Sequence, residues 1–183
     1  MALHQVQFVA VTFDDGSVGI MQFILDPNLP PGVSIPGYDP ATKLREATDA
    51  AIQYEINKSV WTPRTPVSFR RITELELAPL DRAYRNAWTD SGGALAHDLP
   101  KARALHRNKM RAARTPLLAT LDADYLQADE RGDTTAKTSI ATQKQQLRDV
   151  TADPAIDAAA TIAQLKAVWP AVLGPNGTRV SSG

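Results

Sequence analysis

Few side chains in this sequence have the type and spacing that chemistry needs. Cysteine is absent from all 183 residues, which excludes thiolate nucleophiles, thiolate metal sites and disulfides. The three histidines, His4, His97 and His106, include no pair at the i, i+4 spacing that aims two imidazoles at one metal. There is no phosphate-cradling glycine loop, dinucleotide fingerprint or nucleophile elbow. Asp14-Asp15-Gly16 could begin a calcium loop, but the later ligands and the bidentate glutamate are missing, so it reads as a turn. Asp122 and Asp124 lie two apart and cannot share a helix face. Asn57-Lys58-Ser59 and Asn176-Gly177-Thr178 match the glycosylation acceptor pattern. Yet the start, Met1 to Gln5, has neither the charged nor the apolar region of a secretion signal. The expectation is a protein without a catalytic constellation, metal or cofactor.

One cluster is less ordinary. Lys101, Arg103, Arg107, Lys109, Arg111 and Arg114 follow one another with no acid between them, and Asp122, Asp124, Asp129 and Glu130 come later on the same predicted helix. This polarity opposes the helix macrodipole, which favours acids at the start and bases at the end. Two readings follow. The bases form a solvated face balanced by Asp149, Asp153 and Asp157 folding back, or they are a candidate partner-binding patch for an acidic protein. Nucleic acid is disfavoured, because no aromatic interleaves the bases as a stacking platform. The 20 basic and 20 acidic residues also cancel, so no global field draws in a polyanion. No apolar run approaches the ~18 residues of a membrane span.

The elements that must position these residues fall into two compositions. Nine of the eleven aromatics lie in residues 1–88, whereas alanine is dense from Ala102 to Ala171. Aromatics fit pleated, half-buried sheets, and alanine is the best helix former. The predicted class is therefore α+β. A small ββαβα module spans residues 1–90, a linker 91–97, an all-helical module with an antiparallel hairpin 98–173, and a flexible tail 174–183. Val6–Phe13 and Val18–Ile24 read as a hairpin across Asp14–Ser17. Asp39-Pro40 reads as a helix start, with Leu44, Ala47, Ala51, Ile52 and Ile56 on one stripe. Val67–Ile72 follows as a strand, and the capping box Thr73-x-x-Glu76 opens a helix carrying Leu80, Tyr84, Ala87 and Trp88. A long helix from Leu99 to Ala128 should kink or break near Pro116. Gly132 ends it, Asp133 or Thr134 caps the next helix, and Ala136, Ile140, Gln143, Leu147 and Val150 form a narrow seam. Thr161-x-x-Gln164 caps a last short helix, stopped by Pro170.

Some of these segments resemble a known group. Gln146 to Pro154 and Leu165 to Pro170 are similar to the ends of small tail-module proteins of tailed bacteriophages, the tail-fibre assembly and tail assembly chaperone proteins. Asp81-Arg82-Ala83-Tyr84-Arg85-Asn86-Ala87-Trp88 resembles their recurrent Arg-x-x-Trp segment. The resemblance covers about a third of the chain and rests on structural rather than catalytic motifs. It implies a non-enzymatic structural component of a phage tail, an adaptor or fibre-associated virion subunit made in the bacterial host cytoplasm. The alternative it implies is an assembly chaperone absent from the mature particle. The implied partners are other phage tail proteins. Multimerisation, or life as a bound subunit, is expected separately. Leu105, Leu117, Leu118, Leu121 and Tyr125 cannot all face one partner helix at 3.6 residues per turn.

Overall fold

The computed structural model describes residues 5–175. The chain is α+β and divides into two compact units, Met1–Asp98 and Leu99–Gly183.

In the first unit, strands β1 (Val6–Phe13) and β2 (Val18–Ile24) form the expected antiparallel hairpin. The turn holds because Gly16 takes φ +70° and the Asp15 carboxylate accepts from the Ser17 N–H at 2.9 Å. Two-residue strands β3 (Tyr38–Asp39) and β4 (Leu44–Arg45) pair next, then helix α1 (Asp49–Lys58) and strand β5 (Pro66–Ile72). β5 lies antiparallel on the far side of β1, so the sheet order is β2-β1-β5. β1 is thus central, and its side chains alternate between two cores. Val9, Val11 and Phe13 pack with Phe23 and with Ala51, Ile52 and Ile56 of α1. Ala10 packs on the opposite face with Val18, Ile72 and Trp88. A strand covered on both faces needs an unbroken apolar run, which Val9-Ala10-Val11 supplies. Each of the large side chains fully enclosed here contributes roughly 1.5–3 kcal/mol by leaving water.

Three expectations for this unit change. The helix after Gly37 starts at Thr48, not Asp39. Asp39 instead spends its carboxylate on the Ala41 N–H and the Thr42 hydroxyl, closing the β3–β4 turn, and those bonds hold it below the usual carboxylate range. Thr48 caps α1 through the Ala51 N–H, and Leu44 is exposed. The capping box at Thr73 and Glu76 forms as expected, but helix α2 (Glu74–Leu77) lasts one turn. Leu80, Tyr84, Ala87 and Trp88 do not extend it. Asp81 opens a separate 3₁₀ segment, Arg82–Ala87, by accepting from the Ala83 N–H. Tyr84 is buried there, and burial, with Asp81 adding to it, pushes its phenol up to about 12. Finally, the expected linker 91–97 is folded. Strands β6 (Trp88–Ser91) and β7 (Ala94–His97) pair across Gly92-Gly93, whose positive φ values make a tight hairpin rather than a tether.

The second unit follows its sequence more closely. Helix α3 (Leu99–Glu130) runs 32 residues without interruption through Pro116, about 48 Å at the α-helical rise. The expected break is absent. Proline costs one ladder bond at that point, and the flanking turns close through the rest of the ladder. Gly132 (φ +68°) ends α3, with the Asp133 N–H reaching back to the Ala128 carbonyl. The Asp133 carboxylate then accepts from the Ala136 N–H and starts helix α4 (Thr134–Asp149) antiparallel to α3. Ile140 is half-buried, and Leu147 and Val150 are buried, but Gln143 is exposed and Lys144 takes its place beside α3. Lys144 pairs with Asp122 at 2.5 Å and lies 5.2 Å above the Tyr125 ring. The stem of a lysine covers the ring while its charge finds a carboxylate.

A 3₁₀ turn at Val150–Ala152, helices α5 (Ala155–Ala158) and α6 (Ile162–Ala167), and a 3₁₀ turn at Ala171–Leu173 complete the unit. Ile156, Leu165 and Leu173 are buried, as are Ala102 and Met110 of α3. Thr161 caps α6 through the Gln164 N–H, while the Gln164 side chain accepts from the Ala160 N–H, one residue outside the expected box. The Trp169 indole donates to the Gly174 carbonyl at 2.8 Å. Of the expected tail, residues 176–183, including Asn176-Gly177-Thr178, lie outside the described residues, as does His4. Among the described residues no helix is long and apolar enough to cross a membrane.

Candidate functional site

The basic stretch of α3 meets backbone carbonyls. The Arg103 guanidinium donates to the Ala159 carbonyl at 2.9 Å. Arg107 donates to the Thr151 carbonyl at 3.2 Å and pairs with Asp157 at 2.7 Å, which holds that carboxyl below its ordinary value. Arg114 donates to the Leu147 and Arg148 carbonyls at 3.3 and 2.8 Å. These acceptors cluster where α4 ends and the chain turns through residues 150–159. The last carbonyls of a helix have no intrahelical partner, and cations beside them are stabilising. The bases therefore complement the C-terminus of α4, the antiparallel neighbour, even though they oppose the dipole of α3. Of the three acids expected to fold back, Asp157 does so. Asp153 turns to the Ala155 N–H, and Asp149 accepts from Gln145. Arg111 is exposed and donates to Asn108 on its own helix. Lys101 and Lys109 are half-buried. So Arg103, Arg107 and Arg114 are engaged within the unit.

His106 sits inside the same unit, fully buried between these arginines in sequence. Its Nε2–H donates to the Val168 carbonyl at 2.8 Å, and its ring meets Trp169 edge-on at 5.6 Å. Burial pushes the imidazole below its ordinary pKa. The Val168 bond opposes this without overturning it, and Lys109 and Arg107 add to the effect of burial. A neutral imidazole that docks a helix end is a core group. His97 accepts from the Asp81 N–H at 3.2 Å. Among the described residues no group of three or more His, Cys, Asp or Glu side chains could hold a metal ion.

The first unit carries a concave surface. A cavity of about 700 Å³ opens over the face of the β1–β2 hairpin that carries Phe8, Val18 and Ile20. Its other wall comes from Leu77 and Leu80 after β5, and from Trp88. Trp88 is fixed there because its indole N–H donates to the Asp81 carbonyl at 3.2 Å. Arg64, Arg82 and Arg85 line the same cavity, against a single acid, Glu74. The first unit holds six arginines, and the other three are neutralised. Arg45 pairs with Glu55 at 2.7 Å, Arg71 with Asp49 at 2.7 Å, and Arg70 with Glu76 and Asp90 at 2.6 and 2.5 Å. Those carboxylates hold the Arg70 guanidinium above its ordinary value, and Arg70 draws Glu76 below. At the cavity, Arg64 lies over the Phe13 ring at 4.2 Å and donates to the Ser17 hydroxyl at 3.1 Å, with no carboxylate. The Arg82 and Arg85 side chains are exposed, and their guanidinium groups make no hydrogen bond or ion pair with a described residue.

Inspection of residue types for catalysis passes over this site, because it has none of the nucleophiles or paired carboxylates that such a search seeks. One signal for it was present. The segment Asp81–Trp88 supplies Arg82, Arg85 and Trp88 to the cavity. Comparison with protein-family models, curated proteins and solved structures finds no match to this chain.

Proposed function

We infer that the chain is a non-enzymatic structural component of a phage tail, an adaptor or fibre-associated subunit that works by docking other tail proteins. One observation carries this reading. The Arg-x-x-Trp segment that resembles phage tail-module proteins is the same segment that lines the cavity with Arg82, Arg85 and Trp88. An apolar floor with uncompensated cationic groups at its edge suits recognition of another chain. The helical hairpin supports the same reading. Leu117, Leu118 and Leu121 stay half-buried after α3 and α4 have packed, and Leu126 is 63% exposed. Apolar surface left on a paired helix is what a subunit interface presents before assembly.

Sedimentation velocity at micromolar concentration, alone and with the tail proteins encoded beside it, tests the docking role. The reading expects a multimer or a complex in at least one condition. A strict monomer in both refutes it.

A further inference from the structure

We propose that the arginine-edged cavity of the first unit takes an extended acidic peptide, a partner segment that carries both apolar and carboxylate side chains on the face it turns to the cavity, laid along the free edge of β2. The inference rests on the docking role proposed above and names the chemistry of the segment docked.

Three observations converge on it. The first is the free edge. Phe13 N–H donates to the Ser17 carbonyl and Leu25 N–H to the Gln5 carbonyl. In an antiparallel ladder this sets the alternation, so Gly19 and Met21 turn their backbone groups toward β1. Val18, Ile20 and Gln22 then turn N–H and C=O away from it, and these groups meet no hydrogen-bonding partner among the described residues. An edge of this kind accepts an added strand.

The second observation is the apolar floor beside that edge. Val18 and Ile20 line the cavity with Phe8, Leu77, Leu80 and Trp88. Alternate side chains of an added strand fall on one face, so every second residue of the guest would face this cavity, its apolar members entering the floor.

The third is charge. Arg82 and Arg85 line the same cavity, so carboxylates among the cavity-facing side chains of the guest would lie near them. Neither arginine has a carboxylate partner among the described residues, whereas Arg45, Arg70 and Arg71 elsewhere in the unit each have one. Carboxylates on the guest complete the pattern the rest of the unit already follows. A nucleic acid fits less well. Trp88 is 8% exposed with its indole N–H engaged, so it offers no open face for a base to stack on.

The test uses the full chain and a short fluorescent peptide in which every second residue is valine or glutamate in turn and the intervening residues are serine, followed by anisotropy at low and moderate salt. Its lysine-for-glutamate counterpart, a version N-methylated on alternate backbone nitrogens, a single-stranded oligonucleotide and inorganic phosphate serve as comparisons. The proposal expects binding of the glutamate peptide alone. It also expects roughly tenfold weaker binding by the Arg82→Glu, Arg85→Glu double variant, because reversed edge charges repel the guest. Both guanidinium groups are exposed and without a partner among the described residues, so an unchanged circular dichroism spectrum should accompany that loss. Equal binding of the lysine peptide, of the N-methylated peptide or by the double variant overturns it, as does no binding at all. Displacement of the peptide by phosphate or oligonucleotide at comparable concentration also overturns it and makes the site a general anion site. Failure here with a positive sedimentation result would remove the acidic peptide and leave the docking role standing.

Discussion

Replacing Arg114 by methionine should destabilise the helical unit, while the same change at Arg111 should not. Methionine keeps the helix propensity and most of the stem volume of arginine, so the comparison isolates the guanidinium. At position 114 the guanidinium donates to two carbonyls at the end of α4, at 3.3 and 2.8 Å. At position 111 it reaches only Asn108 on its own exposed face. A hydrogen bond from a charged donor contributes about 1.5–3 kcal/mol when well made. The longer contact and the half-exposed setting reduce this to a net loss of about 1–2 kcal/mol for Arg114→Met. Arg111→Met should stay within about 0.5 kcal/mol of the parent, as exposed substitutions usually do. In urea, followed by far-ultraviolet circular dichroism, the first variant should lower the midpoint of the helical transition by about 0.5–1 M at unchanged slope. Equal midpoints for the two variants would refute the account of these bases as caps for α4 and return them to the pool of candidate docking residues.

The remaining predictions touch both units. His106 is held neutral in the folded unit, with its pKa below the unfolded value of about 6.5, so the unfolded chain binds the proton first as pH falls. Its contribution is complete above about pH 6.5 and declines below it; urea midpoints at falling pH should show this, and His106→Gln should flatten the dependence. Gly37→Ala should cost roughly 2 kcal/mol or more, because φ is +80° and the new methyl would lie 2.6 Å from the Glu46 carbonyl; thermal unfolding of the variant at the parent's temperature refutes the point. A fragment spanning residues 98–173 should remain helical alone, since its caps and its buried residues from Ala102 to Leu173 lie within it; a random-coil dichroism spectrum would contradict this.

What the sequence made legible follows from how local each signal is. The β1–β2 hairpin, the long helix, Gly132 with its Asp133 cap and the Thr161 cap each depend on residues within a few positions of one another, and each stands in the structure. The errors came where a local signal had two uses. Asp39-Pro40 has the composition of a helix start, but the carboxylate closes a turn instead. Gly92-Gly93 reads as a tether, yet two strands on either side convert it into a hairpin. The functional side was less legible still. Whether an arginine is neutralised depends on partners distant in sequence, such as Arg107 with Thr151 and Asp157. The run in α3 therefore looked like a docking patch although half of it is occupied by carbonyls. Arg64, Arg82 and Arg85 looked scattered until the fold gathered them around one cavity.

The most direct test of the proposed role is quantitative mass spectrometry of purified particles of a tailed phage encoding this chain, compared with the infected-cell lysate. The account predicts the chain in mature particles at a fixed ratio to other tail proteins. A chain abundant in the lysate and absent from the particles would contradict the structural role and make it an assembly chaperone.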